Sequence, residues 1–308
     1  MTAAHFDLQQ PKAYAAWRKK KLSSRPRSLE DLLLEIKDPY HLTDSERQTI
    51  LQDCARANFA LYVTDKPEDT GKSLVHALAT QLNLPAPDCN FLADEDAITS
   101  ITVATQGTRT AYIPYTNRAI RWHTDGYYNR PEHTIRAMIL HCARPALEGG
   151  TNQLLDHELA YLQLRDENPE YIRALMQPEA MTIPEREDED ANGVRSTRAA
   201  QSGPVFSIDP AGYLHMRYTA RTRSIEWKAD AATQAAVAAL ERLLSEDNPF
   251  ILRGRMEAGM GLICNNILHD RSAFTDSSEN HRLLYRARYS QRLPDGLANI
   301  EQRPSSII

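Results

Sequence analysis

Short segments rich in β-branched and aromatic residues recur along the chain without regularly spaced helices between them. They lie at residues 59–63, 98–103, 134–142, 205–208, 213–218, 250–253, 261–264 and 282–289. Turn residues such as Gly107, Pro114 and Gly212 interrupt or separate several of these segments. A doubly wound parallel sheet needs alternating strands and helices, so the pattern instead predicts an antiparallel sandwich or roll. The sequence contains no glycine-rich phosphate loop and no internal repeat.

Helical segments are predicted before and between these strands. Thr43-Asp44-Ser45-Glu46 has the spacing of a capping box, and helical periodicity then continues to about Asn58. Further helices are predicted at residues 28–37, 69–82, 154–165 and 230–244. Residues 185–201 contain almost no large apolar side chain, so we expect a mobile loop that could close over a ligand as a lid.

The bulk properties fit a globular protein with a small-molecule partner. We divide the 308 residues into a helical extension packed on the core (1–58), a main domain (59–290) and a tail (291–308). A formal charge of −5 with dispersed basic residues gives no support for nucleic-acid binding, and the run Arg18–Lys21 is expected to be solvated. No apolar run or signal-peptide pattern is present, so a cytoplasmic location without membrane contact is expected. A homo-oligomer is left open.

The four cysteines are far apart in the sequence. Cys54, Cys89, Cys142 and Cys264 form none of the close pairs that zinc sites or redox motifs use. In a long chain without a signal peptide, we therefore expect buried, reduced thiols.

The segment Trp122–Tyr128 contains two residues that could share a metal ion. In an extended chain, His123 and Asp125 project from the same face, because strand side chains alternate. A His-x-Asp pair is a weak motif by itself, so a third ligand must lie elsewhere. His269 stands out, since it follows a predicted strand and precedes another in which Arg282 and Arg286 share one face. A metal can chelate a 2-oxo acid while a guanidinium group holds its far carboxylate.

These motifs occur in an order that matches a known family. They are Tyr115-Thr116, His123-Thr124-Asp125, Gly149-Gly150-Thr151, Leu268-His269-Asp270-Arg271 and Arg282-Leu283-Leu284-Tyr285-Arg286. Over about residues 59–290 the chain resembles the taurine dioxygenase superfamily of iron(II)- and 2-oxoglutarate-dependent oxygenases. The stretches 140–151, 203–205 and 217–218 are similar to its γ-butyrobetaine and trimethyllysine hydroxylase branch.

The resemblance implies a mainly β fold with flanking helices, a double-stranded β-helix or jelly roll. It implies that His123, Asp125 and His269 are the iron ligands at the catalytic centre. Thr151 and Arg282 match the contacts of 2-oxoglutarate, and Arg286 matches an arginine that faces the substrate in some relatives. The implied reaction consumes 2-oxoglutarate and O2, releases succinate and CO2, and hydroxylates or otherwise oxidises an unactivated C–H bond. Because Asp125 is present, halogenation is disfavoured.

Two departures from the family pattern bear on the substrate. Gly126–Asn129 stands where relatives often have Leu-Pro-Tyr, and Asn265-Asn266 replaces an Asp-Asn pair. The candidate substrate contacts are Asn129, Arg286 and an aromatic set that suits a quaternary ammonium group, namely Tyr115, Tyr127, Tyr128 and Tyr218. Nearby arginines suit an acidic group, as in Arg217, Arg221 and Arg223. The expected substrate is therefore a small zwitterionic, amino-acid-like or quaternary-ammonium metabolite.

Two other classes of function remain open from the sequence. The same three ligands could hold zinc for hydrolysis, because two histidines and a carboxylate suffice for that chemistry. A non-catalytic jelly-roll protein could also bind 2-oxoglutarate or a metabolite as a sensor. Succinate formation coupled to oxygen uptake separates an oxygenase from both.

Overall fold

The computed structural model describes residues 3–65, 71–84, 86–89, 92–189, 195–221, 225–245 and 247–296. The α-helices of this part are α1 Pro11–Ser24, α2 Asp44–Ala57, α3 Lys72–Gln81, α4 His157–Glu167, α5 Pro169–Leu175 and α6 Ala231–Ser245. Its strands are β1 Leu33–Ile36, β2 Phe59–Thr64, β3 Thr99–Ile101, β4 Ile120–His123, β5 Ala137–Arg144, β6 Glu148–Gly149, β7 Asn152–Leu155, β8 Met181–Ile183, β9 Arg186–Glu189, β10 Arg195–Arg198, β11 Gln201–Gly203, β12 Phe206–Ile208, β13 Leu214–Met216, β14 Glu226–Trp227, β15 Leu252–Gly254, β16 Met260–Cys264, β17 Leu268–Arg271, β18 Phe274–Thr275 and β19 Leu283–Tyr289.

Two sheets face each other across an apolar interior. The large sheet has the order β1-β2-β16-β5-β19-β3, and the small sheet has the order β15-β7-β17-β4. Alternate residues of β5 divide between the two faces of the large sheet. Met138 and Leu140 pack between the sheets with Leu154 of β7, whereas Ala137 and Ile139 belong to the cluster on the outer face.

Helices cover both outer faces. On the large sheet, α2 and α3 contribute Leu51 and Leu78 to the outer cluster. On the small sheet, Trp122 of β4 and Leu268 of β17 pack outward against the cluster formed with α4, α5 and α6. Because strand side chains alternate, the following residues of both strands, His123 and His269, point to the interior. None of the helices in the described segments has the length and apolar character needed to cross a bilayer.

The N-terminal helix is held by a buried charge cluster. The Nζ of Lys21 lies 2.5 Å from Asp156 Oδ2 and 2.5 Å from Glu158 Oε2, and it donates to the Arg56 carbonyl at 2.9 Å. Lys21 is 5% exposed. The expectation that the whole basic run is solvated was therefore wrong for this residue, which attaches α1 to the start of α4.

Three local predictions differ from the structure. Residues 33–36 do not form a helix but pair with β2, since Leu32 and Ile36 supply buried apolar side chains at the sheet. The helix predicted from residue 154 begins at His157, because β7 extends to Leu155. The loop expected at residues 185–201 is not present as such. Within this range β9 and β10 pair as an antiparallel ribbon, and β11 begins at Gln201. Residues 190–194 lie outside the described residues.

Two further expectations concern the cysteines and the chain ends. Cys54, Cys142 and Cys264 are buried free thiols, whereas Cys89 is exposed, contrary to expectation. The division at residues 58 and 290 stays a prediction, although β1 already belongs to the large sheet. In the predicted tail, Leu293 is buried and its N–H donates to Asn265 Oδ1 at 3.2 Å, while residues 297–308 lie outside the described residues.

Candidate metal centre and active site

Three candidate ligands converge inside the sandwich. His123 of β4 and His269 of β17 are direct partners across the small sheet, and their ring centroids are 4.2 Å apart. Asp125 follows β4 by two residues and is on the same side. One ligand atom from each of the three residues lies within 4.8 Å of the others. Two histidines and one carboxylate with this closeness form the donor set of a facial triad for a divalent metal.

Both imidazoles are oriented by the carbonyl group two residues earlier in the chain. His123 Nδ1 is 3.0 Å from the Arg121 carbonyl, and His269 Nδ1 is 3.0 Å from the Ile267 carbonyl. A carbonyl only accepts, so each Nδ1 carries the proton and each Nε2 keeps its lone pair for a metal. Burial and the neighbouring His269 lower the pKa of His123 to about 3. This imidazole is therefore neutral at physiological pH, which is the form that binds metal.

The carboxylate of Asp125 has one satisfied and one unsatisfied oxygen. Arg286 Nη1 of β19 donates to Oδ1 at 3.2 Å, whereas Oδ2 is buried without a hydrogen-bond partner among the described residues. Burial opposes the charged form, but Arg286 and Arg288 outweigh it and hold the pKa of Asp125 well below its usual range. A buried anionic oxygen without a partner is costly unless a cation binds it. The site therefore fits a divalent metal held by His123, Asp125 and His269.

Asn266 fixes the backbone at Asp125. Its Oδ1 accepts from the Asp125 N–H at 2.7 Å, and its Nδ2 donates to the carbonyls of Asp125 at 2.9 Å and Ile135 at 2.7 Å. Asn266 has a φ of 53°, in the left-handed region that asparagine tolerates better than most residues. The Asn-Asn departure seen in the sequence thus has a structural role beside the metal ligands.

We expect Asn266→Ala to weaken metal binding by about 10–100-fold, as other losses of outer-shell partners do. The cause is release of the Asp125 backbone, which carries a ligand. Iron(II) affinity, measured by competition with a chelator, checks this result. Asn83→Ala is the matched control, since Asn83 also has a positive φ, of 58°, but lies at the end of α3. Equal metal affinity in the two variants would contradict the role of Asn266.

The residues matched to 2-oxoglutarate binding lie beside Gly150. Gly149 and Gly150 both have φ near +70°, and they lead into Thr151, whose N–H donates to Ser272 Oγ at 3.0 Å. A Cβ at Gly150 would be 3.8 Å from Arg282 Nε, so the arginine lies beside the residue that precedes Thr151. Arg282 is 6% exposed, and no hydrogen-bond partner of its guanidinium group is found among the described residues. Burial lowers the pKa of Arg282.

Two arginines that the sequence reasoning did not assign extend this basic interior. Arg271 and Arg282 both pack on Phe274, with Cζ 4.6 and 5.0 Å from the ring centroid. Burial and the nearby Arg282 lower the pKa of Arg271 to about 9. Arg288 donates to Tyr128 Oη at 3.0 Å and to Asp88 Oδ2 at 2.7 Å. Arg288 is two residues after Arg286, and Arg271 is two residues after His269. Because strand side chains alternate, this even spacing predicts that Arg288 and Arg271 lie on the interior face.

Part of the predicted substrate set lies near Arg286. Tyr115 is 1% exposed and donates to the Leu92 carbonyl at 3.1 Å. Burial raises the pKa of Tyr115, while Arg286 opposes this rise and Tyr128 adds to it, so the three side chains share one region. Tyr128 is held there by its hydrogen bond from Arg288.

The other predicted substrate contacts lie elsewhere. Tyr218 is 1% exposed in the outer cluster and packs near Trp227, with ring centroids 6.3 Å apart. The prediction that it contacts the substrate is therefore corrected, because its ring is part of the core. Tyr127 and Asn129 line a cavity of about 310 Å³ whose lining includes Asp125 but neither histidine of the triad. Asn129 Nδ2 donates to the His133 carbonyl at 2.7 Å, which stabilises a turn. Tyr127 also contacts Tyr128, with ring centroids 5.2 Å apart, whereas Tyr218 is buried in the outer cluster, so the four tyrosines do not form one aromatic enclosure.

Arg217 is also occupied by the backbone. Its guanidinium group donates to the carbonyls of Tyr127 at 2.8 Å, Met181 at 3.0 Å and Gln201 at 2.7 Å. Burial lowers the pKa of Arg217 to about 10. This arginine joins β8, β11 and the loop after β4, and it does not supply an acidic substrate with a free cation.

Solved structures with the same fold support the jelly-roll prediction. An asparagine oxygenase in complex with Fe(II), 2S,3S-3-hydroxyasparagine and succinate matches with a TM-score of 0.58 and 13% identity, over 83% of this chain and 84% of that one. A taurine dioxygenase from Burkholderia xenovorans matches with a TM-score of 0.54 and 18% identity, over 89% and 93% of the two chains. At these identities the likeness concerns the fold, and it confirms the mainly β double-stranded β-helix.

Two curated relatives carry the same name. A uridine-5'-phosphate dioxygenase from Amycolatopsis sp is 31% identical over 179 residues, which are 55% of this chain and 60% of that protein. A uridine-5'-phosphate dioxygenase from Streptomyces sp is 30% identical over 203 residues, 63% of this chain and 69% of that protein. The match to the first relative thus spans less than two thirds of its length.

A family model provides the broader assignment. The model of the taurine catabolism dioxygenase TauD, TfdA family matches residues 30–288, which include the three candidate metal ligands and the arginines of β19. The narrower γ-butyrobetaine and trimethyllysine hydroxylase branch stays a prediction. With a family match over most of its length, the chain belongs to the taurine catabolism dioxygenase TauD, TfdA family, in the superfamily of iron(II)- and 2-oxoglutarate-dependent oxygenases.

Proposed function

We propose that the protein is an iron(II)- and 2-oxoglutarate-dependent dioxygenase that oxidises a C–H bond of a small phosphorylated metabolite, with a nucleoside 5′-phosphate as the favoured class. The observation that carries the oxygenase assignment is the buried triad. His123, Asp125 and His269 present their ligand atoms to one point, and Asp125 Oδ2 has no hydrogen-bond partner within the described structure.

The roles of the surrounding residues follow from their contacts. Iron(II), when bound, supplies the redox chemistry that couples oxidative decarboxylation of 2-oxoglutarate to substrate oxidation. Arg282, beside Gly150, offers a buried cation to the distal carboxylate of 2-oxoglutarate. Arg286 neutralises and orients Asp125. The apolar residues between the sheets exclude water from the reacting groups.

Three observations favour a phosphorylated substrate over the zwitterion expected from the sequence. Both curated relatives are named for uridine-5'-phosphate. Of the tyrosines proposed to enclose a quaternary ammonium group, Tyr218 is buried in the outer cluster, while Tyr127 and Tyr128 contact each other with ring centroids 5.2 Å apart. The Nε of Arg286 is buried and has no hydrogen-bond partner among the described residues, so this donor suits an anionic group.

Anaerobic titration of the iron(II)-loaded protein with 2-oxoglutarate tests the oxygenase assignment. Chelation of the metal by 2-oxoglutarate should produce a charge-transfer band, and substrate-dependent succinate formation should follow after oxygen is admitted. A wild-type protein that gives no band would overturn the proposal. Zinc that copurifies, together with hydrolytic turnover and no succinate, would favour the hydrolase alternative.

We expect Arg282→Ala to reduce 2-oxoglutarate affinity by about 10–100-fold, because hydrogen bonds to charged groups contribute about 1.5–3 kcal/mol each. The titration midpoint of the charge-transfer band measures this loss. Arg253→Ala is the control, since Arg253 lies on β15 and pairs with Gln153 at the surface. If the midpoint of Arg282→Ala equals that of the control, Arg282 does not bind the cosubstrate.

A further inference from the structure

A cavity lies between the turn that follows β4 and the hairpin β12–β13. Its volume of about 310 Å³ is at the lower end of the range for small-molecule sites, which is about 300–1,000 Å³. One wall includes residues 124–127 and 134–136, and the other includes residues 201–204 and 207–210. Asp125 belongs both to this lining and to the candidate metal centre, so the cavity adjoins the metal site.

The hairpin directs two polar side chains toward the cavity. Ser207 of β12 and His215 of β13 are direct partners in the antiparallel register, and both line the cavity. Their neighbours Phe206 and Met216, in contrast, are buried in the outer cluster. Because strand side chains alternate, the serine and the histidine form a cross-strand pair on one face of the hairpin.

The protein does not satisfy the hydrogen-bonding groups of this pair. Within the segments that the structure describes, the Ser207 hydroxyl and the His215 imidazole have no hydrogen-bond partner. Burial lowers the pKa of His215 to about 3, and the neighbouring His157 and three arginines act in the same direction. The imidazole is therefore neutral at physiological pH, with one N–H donor and one acceptor nitrogen, and the hydroxyl can donate and accept.

The arginines at the cavity are directed to acceptors of the protein. Arg136 Nη1 pairs with Asp209 Oδ2 at 3.1 Å, and Asp209 Oδ1 accepts the N–H groups of Ala211 and Tyr213 at 2.9 Å each. Arg217 uses its guanidinium group on three backbone carbonyls. The groups left for a ligand are therefore neutral, and they suit an uncharged polar ligand rather than an anion.

The wall opposite the hairpin is fixed to the metal centre. Asn266 donates to the carbonyls of Asp125 and Ile135, so one side chain holds both segments of this wall. A Cβ at Gly126 would lie 2.5 Å from Ile135 Cγ1, which shows that the two segments are in close contact. A ligand in the cavity therefore lies against the turn that carries Asp125.

We propose that this cavity binds the uncharged heterocyclic base of the substrate, with Ser207 and His215 hydrogen bonding to the amide groups of the base. This inference rests on the proposed oxidation of a nucleoside 5′-phosphate. It assigns the base to the hairpin and leaves the phosphate to Arg286, whose buried Nε has no partner in the described part of the protein. A pyrimidine base with adjacent carbonyl and N–H groups can accept from one member of the pair and donate to the other.

Binding to the anaerobic protein loaded with iron(II) and 2-oxoglutarate tests the base site without turnover. In isothermal titration, uridine 5′-phosphate should bind about tenfold or more tightly than ribose 5-phosphate, which has the phosphate but no base, because two neutral hydrogen bonds account for a difference of this size. His215→Phe keeps a ring without nitrogens, and it should remove most of that preference and leave ribose 5-phosphate affinity unchanged. His215→Gln should restore part of the preference, because an amide can also donate and accept.

His76→Phe is the matched control, since His76 is an exposed histidine of α3. Ser207→Ala should also reduce the preference, and it replaces His215→Phe in the test if that variant does not fold. A folded variant of this pair that keeps the wild-type preference would overturn the base site. A wild-type protein that binds the two compounds equally, or binds neither, would also overturn it. The charge-transfer band with 2-oxoglutarate separates the two levels, because a normal band with any of these results leaves the dioxygenase assignment standing.

Discussion

Replacing His269 by alanine should abolish oxidative turnover of 2-oxoglutarate and weaken iron(II) binding by well over about 100-fold, given that even outer-shell changes cost about 10–100-fold. The variant loses one of two imidazole ligands that face each other across β4 and β17. It should still fold, because the only protein hydrogen bond described for this imidazole goes to the carbonyl of Ile267, which immediately precedes β17. Chelator competition measures the affinity, and anaerobic absorption measures the 2-oxoglutarate complex.

His41→Ala is the control for this substitution. His41 is an exposed histidine that pairs with Asp38 far from the triad in sequence. Its replacement should leave the iron affinity and the charge-transfer band at wild-type values. If His269→Ala also keeps them, the metal centre lies elsewhere. If the wild-type protein binds 2-oxoglutarate but shows no turnover, the protein is a sensor and not an oxygenase.

Lys21→Met should destabilise the fold by about 3–5 kcal/mol, which is typical for removal of one partner from a buried ion pair. The substitution leaves Asp156 and Glu158 buried without the ammonium group that both contact. The midpoint of urea denaturation measures the loss. Lys20→Met removes the same charge from an exposed position of α1 and should change the midpoint little.

The acid side of the stability profile tests the same cluster. Burial opposes ionisation of Glu158, but Lys21 outweighs it and lowers the pKa of Glu158 to about 2 from an ordinary 4.5. A carboxyl whose pKa is depressed by folding contributes stability above pH 4.5, and that contribution is lost as the pH falls toward 2. This part of the acid destabilisation should disappear in Lys21→Met. Identical acid profiles for the two lysine variants would contradict the cluster.

The parts of the fold that could be predicted are those in which local signals agree with tertiary packing. Thr43 and Glu46 form the predicted capping box, and the helix ends at Asn58 in the left-handed conformation. Residues 33–36 were misassigned because their pairing partner, β2, lies beyond a whole helix in the sequence. The ribbon β9–β10 is polar, so hydrophobic alternation could not reveal it.

The candidate site likewise contains residues whose positions could be predicted from the sequence and residues whose positions could not. His123 and Asp125 share a face by simple alternation, so their proximity could be predicted. The aromatic set could not be resolved, because no local pattern shows that Tyr218 is buried in the outer cluster while Tyr115 lies near Arg286. Asn266 gains its role only from contacts with residues distant in the chain.

The pairing of His123 with His269 also constrains how the protein acquires its metal during folding. These partners come from strands separated by nearly half of the chain, so a long loop must close before they meet, and that closure is entropically costly. High contact order of this kind delays assembly of a site until most of the topology has formed. Iron therefore cannot serve as an early nucleus, and it stabilises the native state by mass action once the small sheet is complete.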